Sequence, residues 1–109
     1  MRGRFQDAAN DLGAALDLNP ARPDALVAQA VMRRKLGQFD LAQADVSQAL
    51  KLNPDNPDAL LERGILRQRL GDRAGARADW QHARDADPDS TIADLAAQNL
   101  ALQEAGPSQ

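Results

Sequence analysis

The chain has 109 residues, no cysteine, 43% hydrophobic and 27% charged residues and a net charge of −3 at pH 7, a balance typical of one globular or repeat domain. Without cysteine it cannot form a disulfide or a thiolate metal site, and its acidic balance argues against nucleic acid as a partner, because phosphate binding needs clustered positive charge. No apolar run approaches the roughly 18 residues that span a bilayer, so we expect no membrane insertion, while the compartment is left open.

The first predicted element is a helix over residues 4–18. Its inward positions, three or four residues apart, are Phe5, Ala8, Leu12 and Ala15. No helix of the kind that would pair with it comes before it in the sequence. We therefore expect that the sequence starts in the middle of a structural unit, either as a fragment of a longer protein or with an incomplete first unit.

Two helical hairpins follow, over residues 23–52 and 57–86. We expect their helices over residues 23–36, 38–52, 57–70 and 72–86. In the second hairpin Asn56 and Asp72 are residue types that cap helices, and Gly71 is placed to end the first helix. The first helix of each pair is called a first-type helix below, and the second helix a second-type helix.

A last helix is predicted over residues 90–104, with Ser90 as its cap. Its apolar stripe would consist of Ile92, Leu95, Ala96, Asn99, Leu100 and Leu102. Such a terminal helix is typical of repeat proteins, in which it hides the last apolar surface. Residues 105–109 are expected to be a frayed tail.

The sequence repeats itself with a period of 34 residues. The matching positions are Gly3, Gly37 and Gly71; Ala8, Ala42 and Ala76; Asp11, Asp45 and Asp79; Ala15, Ala49 and Ala83; and Pro20, Pro54 and Pro88. First-type helices repeat as well, since Leu26 matches Leu60 and Ala30 matches Gly64. The chain is therefore predicted to be an array of equivalent helical hairpins.

This pattern resembles the tetratricopeptide repeat, a 34-residue helix-turn-helix with a small residue in the first helix, a glycine between the helices and a closing proline. The resemblance implies an all-α, right-handed superhelical solenoid of antiparallel helix pairs, with about two and a half repeats and a C-terminal capping helix. The domain would span residues 1–104, made of a half repeat over 3–20, repeats over 23–54 and 57–88, and the capping helix over 90–104. First-type helices would line its concave face.

We expect no catalytic, cofactor or metal site. His82 is predicted to point outward and to be solvated. The acidic run of Asp85, Asp87 and Asp89 resembles the start of a calcium loop, but it lacks the required glycine and bidentate glutamate. Trp80 occupies a position that is apolar in every unit, which favours core packing over ligand stacking.

Arg63 is predicted to form an ion pair inside the fold. It lies as far before Gly71 as Asp79 lies after it, so antiparallel helices would place the two side by side, and Asp45 of the preceding second-type helix is the other candidate partner. The alternative is that the recurring aspartates form an acidic ladder for a cationic partner.

The candidate partner-binding surface lies on the first-type helices. An apolar strip would consist of Val27, Val31, Leu61 and Ile65, bordered by Arg34, Lys35, Gln68 and Arg69. Such a strip suits a protein or peptide segment with aliphatic anchors and an acidic flank. The alternative is that the apolar residues pack the first-type helices together and the basic ones serve the helix dipole. The lysines and asparagines with which some relatives bind a C-terminal carboxylate are missing from these positions.

The predicted function is a non-catalytic protein-interaction module that binds a partner segment on the concave face. The alternative is a structural role, in which the chain self-associates or joins flanking domains of a longer protein, and a third possibility is an accessory region of an enzyme. Self-association would use Phe5, Ala8 and Leu12, since burying such side chains is worth about 1.5–3 kcal/mol each. We expect another copy of the chain to cover them, by a two-fold contact or by exchange of helices, unless an upstream helix does so.

Overall fold

The computed structural model describes residues 2–106, with Arg2 described by its backbone only, and these residues form six α-helices and no strand. The helices are α1 (Arg2–Leu18), α2 (Pro23–Lys35), α3 (Phe39–Leu52), α4 (Pro57–Arg69), α5 (Arg73–Ala86) and α6 (Thr91–Ala105). The predicted all-α class is confirmed. Of the expected frayed tail, Ala105 is the last residue of α6, and residues 107–109 lie outside the described residues.

The chain divides into two compact units, residues 1–54 and residues 55–109. In the first unit α2 packs against both α1 and α3. In the second unit α5 packs against both α4 and α6, and α6 also contacts α4. The finer division into a half repeat, two repeats and a capping helix stays a prediction.

The two hairpins turn in the same way, as their common period predicts. Gly37 and Gly71 have φ angles of 79° and 92°, a region that favours glycine because it has no Cβ. The next residue donates its backbone N–H back into the preceding helix in both turns, from Gln38 to Arg33 and from Asp72 to Arg67, each at 2.8 Å. This six-to-one hydrogen bond is the mark of a glycine C-cap. The prediction that both glycines lie at equivalent turns is confirmed.

Side chains cap the helices of the second unit at the positions that the sequence indicates. The Asn56, Asp72 and Ser90 oxygens accept hydrogen bonds from the backbone N–H groups of Ala59, Gly75 and Ala93, at 3.1, 2.9 and 3.0 Å. In each case the acceptor satisfies a donor that a helix leaves without an internal partner. These caps help to determine where α4, α5 and α6 begin.

The core of each hairpin is built from the positions that repeat. The fully buried second-type residues are Ala42, Val46 and Ala49 in α3, and Ala76, Trp80 and Ala83 in α5, all at most 4% exposed. Opposite Trp80 lies Gly64, where an added Cβ would come within 2.6 Å of the indole Cδ1. The indole Nε1 donates to the Leu61 carbonyl oxygen at 3.3 Å. Trp80 is therefore a core residue, as the periodicity predicts.

Helix α1 packs against α2, and Ala9 and Leu16 of α1 are buried. Gln29 of α2 donates to the Ala9 carbonyl oxygen at 3.1 Å. The residues that the sequence predicts to point inward from this helix, Phe5, Ala8, Leu12 and Ala15, are only half-buried. The repeat pattern predicts that they lie on the side of α1 that would face a first-type helix of the same repeat. This side therefore remains partly open to solvent.

The predicted apolar stripe of α6 is partly wrong. Leu95 and Leu102 are 41% and 69% exposed, whereas Ala93, Ala96 and Gln103 are buried. Small residues allow α6 to approach α5 closely along one edge of the stripe, and Gln103 contributes hydrogen bonds there. The leucines lie on the opposite edge and remain accessible.

Candidate functional site

Asp79 of α5 binds two arginines of α4. The Nε and Nη2 atoms of Arg63 donate to its two carboxylate oxygens at 3.0 and 2.8 Å, and Arg67 Nη1 donates to both oxygens at 3.2 and 3.1 Å. The carboxylate is buried, with 4% of its side chain exposed. The predicted pair between Arg63 and Asp79 is confirmed, and the interaction belongs to the internal structure of the hairpin.

Asp45 occupies the equivalent position in α3 but binds one arginine. Arg33 Nη1 donates to both carboxylate oxygens at 3.0 Å. The residue equivalent to Arg63 is Gln29, which donates to α1 instead. Burial raises the pKa of the Asp45 carboxyl above its usual value of 3.8, and the neighbouring Arg33 charge opposes this rise only in part.

The pairing of Arg33 and Arg67 with the buried aspartates is not part of the sequence-based prediction. The sequence does contain a signal for this pairing, because an arginine and an aspartate recur together in both hairpins. Each arginine precedes its aspartate by 12 residues in the sequence, in both hairpins. A long arginine side chain can bridge one helical turn to reach the facing carboxylate.

The predicted partner-binding residues of the first unit lie along α2. Val27 is buried and offers little surface, whereas Val31 and Arg34 are half-buried and Lys35 is exposed. The Lys35 ammonium lies 5.3 Å from the centre of the Phe5 ring, within the range of a cation–π contact. The basic end of α2 is thus in contact with α1 of the same unit.

The predicted residues of the second unit lie along α4. Leu61, Ile65 and Gln68 are half-buried, and Arg69 is exposed. Ile65 and Gln68 line a cavity of about 340 Å³. The remaining lining residues come from α5, from α6 and from the residue that follows it: Arg73, Trp80, Asn99, Leu102, Gln103 and Gly106.

Gln103 holds α6 at the wall of this cavity. Its Nε2 donates to Gln68 Oε1 at 2.8 Å and to the Arg73 carbonyl oxygen at 2.9 Å. Arg77 Nε donates to its Oε1 at 3.1 Å, and Arg73 Nη2 donates to its backbone carbonyl oxygen at 2.9 Å. These bonds connect α6 to α4 and α5 and so determine the width of the cavity. Sequence reasoning missed this contribution of α6, because a lone glutamine gives no periodic signal.

The polar residues considered for chemistry lie in exposed pairs. His82 Nε2 is 2.8 Å from Asp55 Oδ1, with 46% and 75% of the two side chains exposed, and Arg84 Nε donates to Asp85 Oδ1 at 3.1 Å. Asp87 is the C-cap residue of α5, and its carbonyl oxygen accepts from the Ser90 hydroxyl at 2.7 Å. Within residues 2–106 no three histidine, aspartate or glutamate side chains are grouped so that they could hold a metal ion.

The six described helices include none that is both long enough and apolar enough to cross a bilayer.

A tetratricopeptide repeat family model matches residues 34–101, and a second tetratricopeptide repeat model matches residues 2–37. Comparison with curated proteins gives no significant match.

Solved structures with the same fold include several tetratricopeptide repeat domains. The Arabidopsis OM64 TPR domain is 28% identical with a TM-score of 0.78, over 90% of this chain and 81% of that chain. The second TPR domain of human RPAP3, in complex with the HSP70 peptide SGPTIEEVD, is 20% identical with a TM-score of 0.79, over 94% and 82%. The Yersinia enterocolitica chaperone SycD, in complex with a peptide of the translocator YopD, is 17% identical with a TM-score of 0.81, over 94% and 82%. The fold is thus an all-α, tetratricopeptide-like solenoid, of a kind that typically has no catalytic activity.

Proposed function

Since the chain belongs to the tetratricopeptide repeat family, we propose that it is a protein-interaction module that binds a partner segment on its first-type helices, the surface that the family resemblance predicts to be concave. The partner segment carries aliphatic anchor residues and an acidic flank. Two structurally similar proteins support the general role, because human RPAP3 and Yersinia enterocolitica SycD were each solved with a bound peptide.

The cavity of the second unit carries this proposal. Its volume of about 340 Å³ lies within the range of about 300–1,000 Å³ that is typical of ligand pockets. Ile65 and Leu102 line it, and Leu102 is 69% exposed. An aliphatic side chain of the partner would remove both from water, which stabilises a complex by about 25 cal/mol per Å² of apolar surface.

Polar groups at the cavity suit the backbone of a bound segment. Gln68 and Asn99, which carry side-chain amides, line the cavity beside the apolar residues. Amide groups can both donate to and accept from a peptide backbone, so they would orient a segment whose side chain fills the cavity. In the first unit the half-buried Val31 is the corresponding apolar contact on α2.

We propose an acidic flank on the partner segment because basic residues lie near the ends of the first-type helices. Arg63 and Arg67 are engaged by Asp79, and Arg33 by Asp45, so these charges serve the fold. Lys35 and Arg69 are exposed beyond them, at the ends of α2 and α4. Exposed charges attract an oppositely charged segment in a salt-dependent way and affect the rate of association most strongly.

The proposal can be tested with a displayed library of random 12-residue peptides. Peptides that bind the chain are synthesised, and their affinity is measured by fluorescence anisotropy for the parent and for variants. Ile65→Asp is expected to weaken binding at least tenfold, because a charge would enter the apolar cavity. Arg69→Glu is expected to weaken binding more at low salt than at high salt.

Leu41→Asp is the matched control, since Leu41 is apolar and 48% exposed on α3. It should leave both the affinity and the helical circular dichroism unchanged. If a folded Ile65→Asp chain bound the selected peptides as tightly as the parent, the partner site would lie elsewhere. If the selected peptides lacked acidic residues, the acidic flank would be wrong while the aliphatic anchor would stand.

A further inference from the structure

One side of α1 is more exposed than the equivalent sides of α3 and α5, which are covered by α2 and α4. Asp45 and Asp79 are 7% and 3% exposed, beneath α2 and α4, whereas Asp11 is exposed. The apolar neighbours follow the same rule. Ala8, Leu12 and Ala15 are half-buried where their equivalents in α3 and α5 are at most 4% exposed. We call Ala8, Asp11, Leu12 and Ala15 the open face of α1.

The two hairpins show what such a face accepts. In α4, Gly64 leaves room for the large Trp80 side chain, and in α2 the equivalent residue is Ala30, which is also fully buried. Three residues later each helix carries an arginine, Arg67 or Arg33, that binds the aspartate of the facing helix. The covering helix therefore combines a small residue with an arginine one turn further along, and Asp11 offers the same carboxylate.

The charge of Asp11 decides between the possible occupants. A two-fold antiparallel pair of α1 helices that covers the stripe from Phe5 to Ala15 is centred near residue 10, which places the two copies of Asp11 next to each other. Like charges in contact oppose such a pair. Arg33 already binds Asp45, and Arg63 and Arg67 already bind Asp79, so a second copy cannot offer these arginines without opening a hairpin.

We propose that the open face of α1 docks a helix from outside these 109 residues, one that carries a small residue opposite Leu12 and, three positions later, an arginine that pairs with Asp11. Among the described side chains, those of residues 3–106, Asp11 has no ion pair, so its carboxylate is available for a charge-assisted hydrogen bond. The helix also buries Ala8, Leu12 and Ala15. This surface lies on α1 and is separate from the peptide site proposed on α2 and α4.

The probe is a copy of residues 23–36 joined directly before Gly3. This junction reproduces the register in which residues 23–36 precede Gly37. The fusion is expected to unfold at a higher urea concentration than the parent, because it buries the open face of α1. Asp11→Ala is expected to reduce the folding equilibrium constant of the fusion about tenfold and to leave that of the parent unchanged.

A double-mutant cycle identifies the arginine. Replacing the copied Arg33 by Ala in the fusion should have the same effect as Asp11→Ala, and the double variant should show little further loss. Asp17→Ala is the control, since Asp17 is an exposed aspartate of the same helix that is not equivalent to Asp45 or Asp79, and it should change neither protein.

Three outcomes would overturn the proposal. The added helix could fail to stabilise the chain, Asp11→Ala could act equally on parent and fusion, or light scattering could show that the parent forms a dimer that Leu12→Glu dissolves. The last result would mean that a second copy occupies the face. A monomeric parent, together with the expected coupling between Asp11 and the copied arginine, supports the docked helix.

Discussion

Asp79 and Asp45 differ in how many arginines compensate their buried charge. Arg63 and Arg67 both donate to Asp79, whereas Arg33 alone donates to Asp45. A carboxylate loses several kcal/mol of hydration when it is buried, so each must be paired. The second arginine explains why Asp79 can be the more buried of the two.

Removal of one arginine from Asp79 should be tolerated better than removal of both. We expect Arg63→Ala or Arg67→Ala to lower the free energy of unfolding by about 1 kcal/mol, since the other arginine still donates to both oxygens. The double variant should lose about 3–5 kcal/mol, because the carboxylate is then buried without a partner. Urea unfolding measures these values, with the exposed Arg84→Ala as the control. A double variant that equals the sum of the single ones would show that the arginines act independently.

The pKa of Asp45 gives a pH dependence with a defined sign. Burial raises this pKa above 3.8, so the folded chain holds the proton to a higher pH than the unfolded chain. The contribution of Asp45 to stability is therefore complete at low pH and decreases as the pH rises through the folded pKa. Relative to Asp45→Asn, the parent should lose stability in chemical unfolding as the pH rises above the usual pKa of 3.8. A relative gain would mean that the Arg33 charge outweighs burial.

At the scale of the helices, α4 and α5 are matched by the sizes of Gly64 and Trp80. An added Cβ at Gly64 would lie 2.8 Å from the indole Cε2 of Trp80, which is too close without movement of one helix. In the other hairpin the equivalent residues, Ala30 and Val46, are both fully buried. A smaller side chain on the second-type helix there allows a methyl group on the first-type helix.

Replacing Gly64 and Trp80 by their equivalents in the other hairpin, Ala and Val, tests whether the two residues are matched in size. Gly64→Ala alone should lower the free energy of unfolding by up to about 2 kcal/mol, because overpacking costs about 1–3 kcal/mol and helix propensity returns roughly 1 kcal/mol. In a Trp80→Val background the same change should be neutral or stabilising. Thermal or urea unfolding of the four proteins measures the coupling.

Gly3→Ala is the control for helix propensity, because nothing lies within 4 Å of a Cβ at Gly3. It should cause no loss of stability. If Gly64→Ala destabilised the chain equally with Trp80 and with Val at position 80, contact with the indole would not be the cause.

At the scale of the whole molecule, surface and charge decide which associations are favourable. Phe5, Ala8 and Leu12 are half-buried, so the homo-oligomer that the sequence predicts through α1 stays a prediction. Asp11 opposes full overlap of two such helices, and the same carboxylate favours a helix with an arginine. Light scattering of the parent and of Leu12→Glu distinguishes the two arrangements.

The sequence alone determined the helices and the turns. Hairpin bounds, the glycines at positive φ and the three side-chain caps are local features, since each depends on residues within about one turn of the chain. Periodicity also identified the buried positions of α3 and α5, because a constant 34-residue period brings equivalent residues to equivalent places. The pair between Arg63 and Asp79 followed from their equal distance from Gly71 in an antiparallel hairpin.

Only the tertiary structure decided which edge of α6 is buried and where a cavity forms. The stripe of α6 is wide, and periodicity cannot tell which of its edges packs against α5. The small Ala93 and Ala96 and the hydrogen bonds of Gln103 place that edge inward and leave Leu102 exposed beside Ile65. Such contacts join residues up to 35 positions apart, so they depend on how helices approach one another rather than on the local pattern.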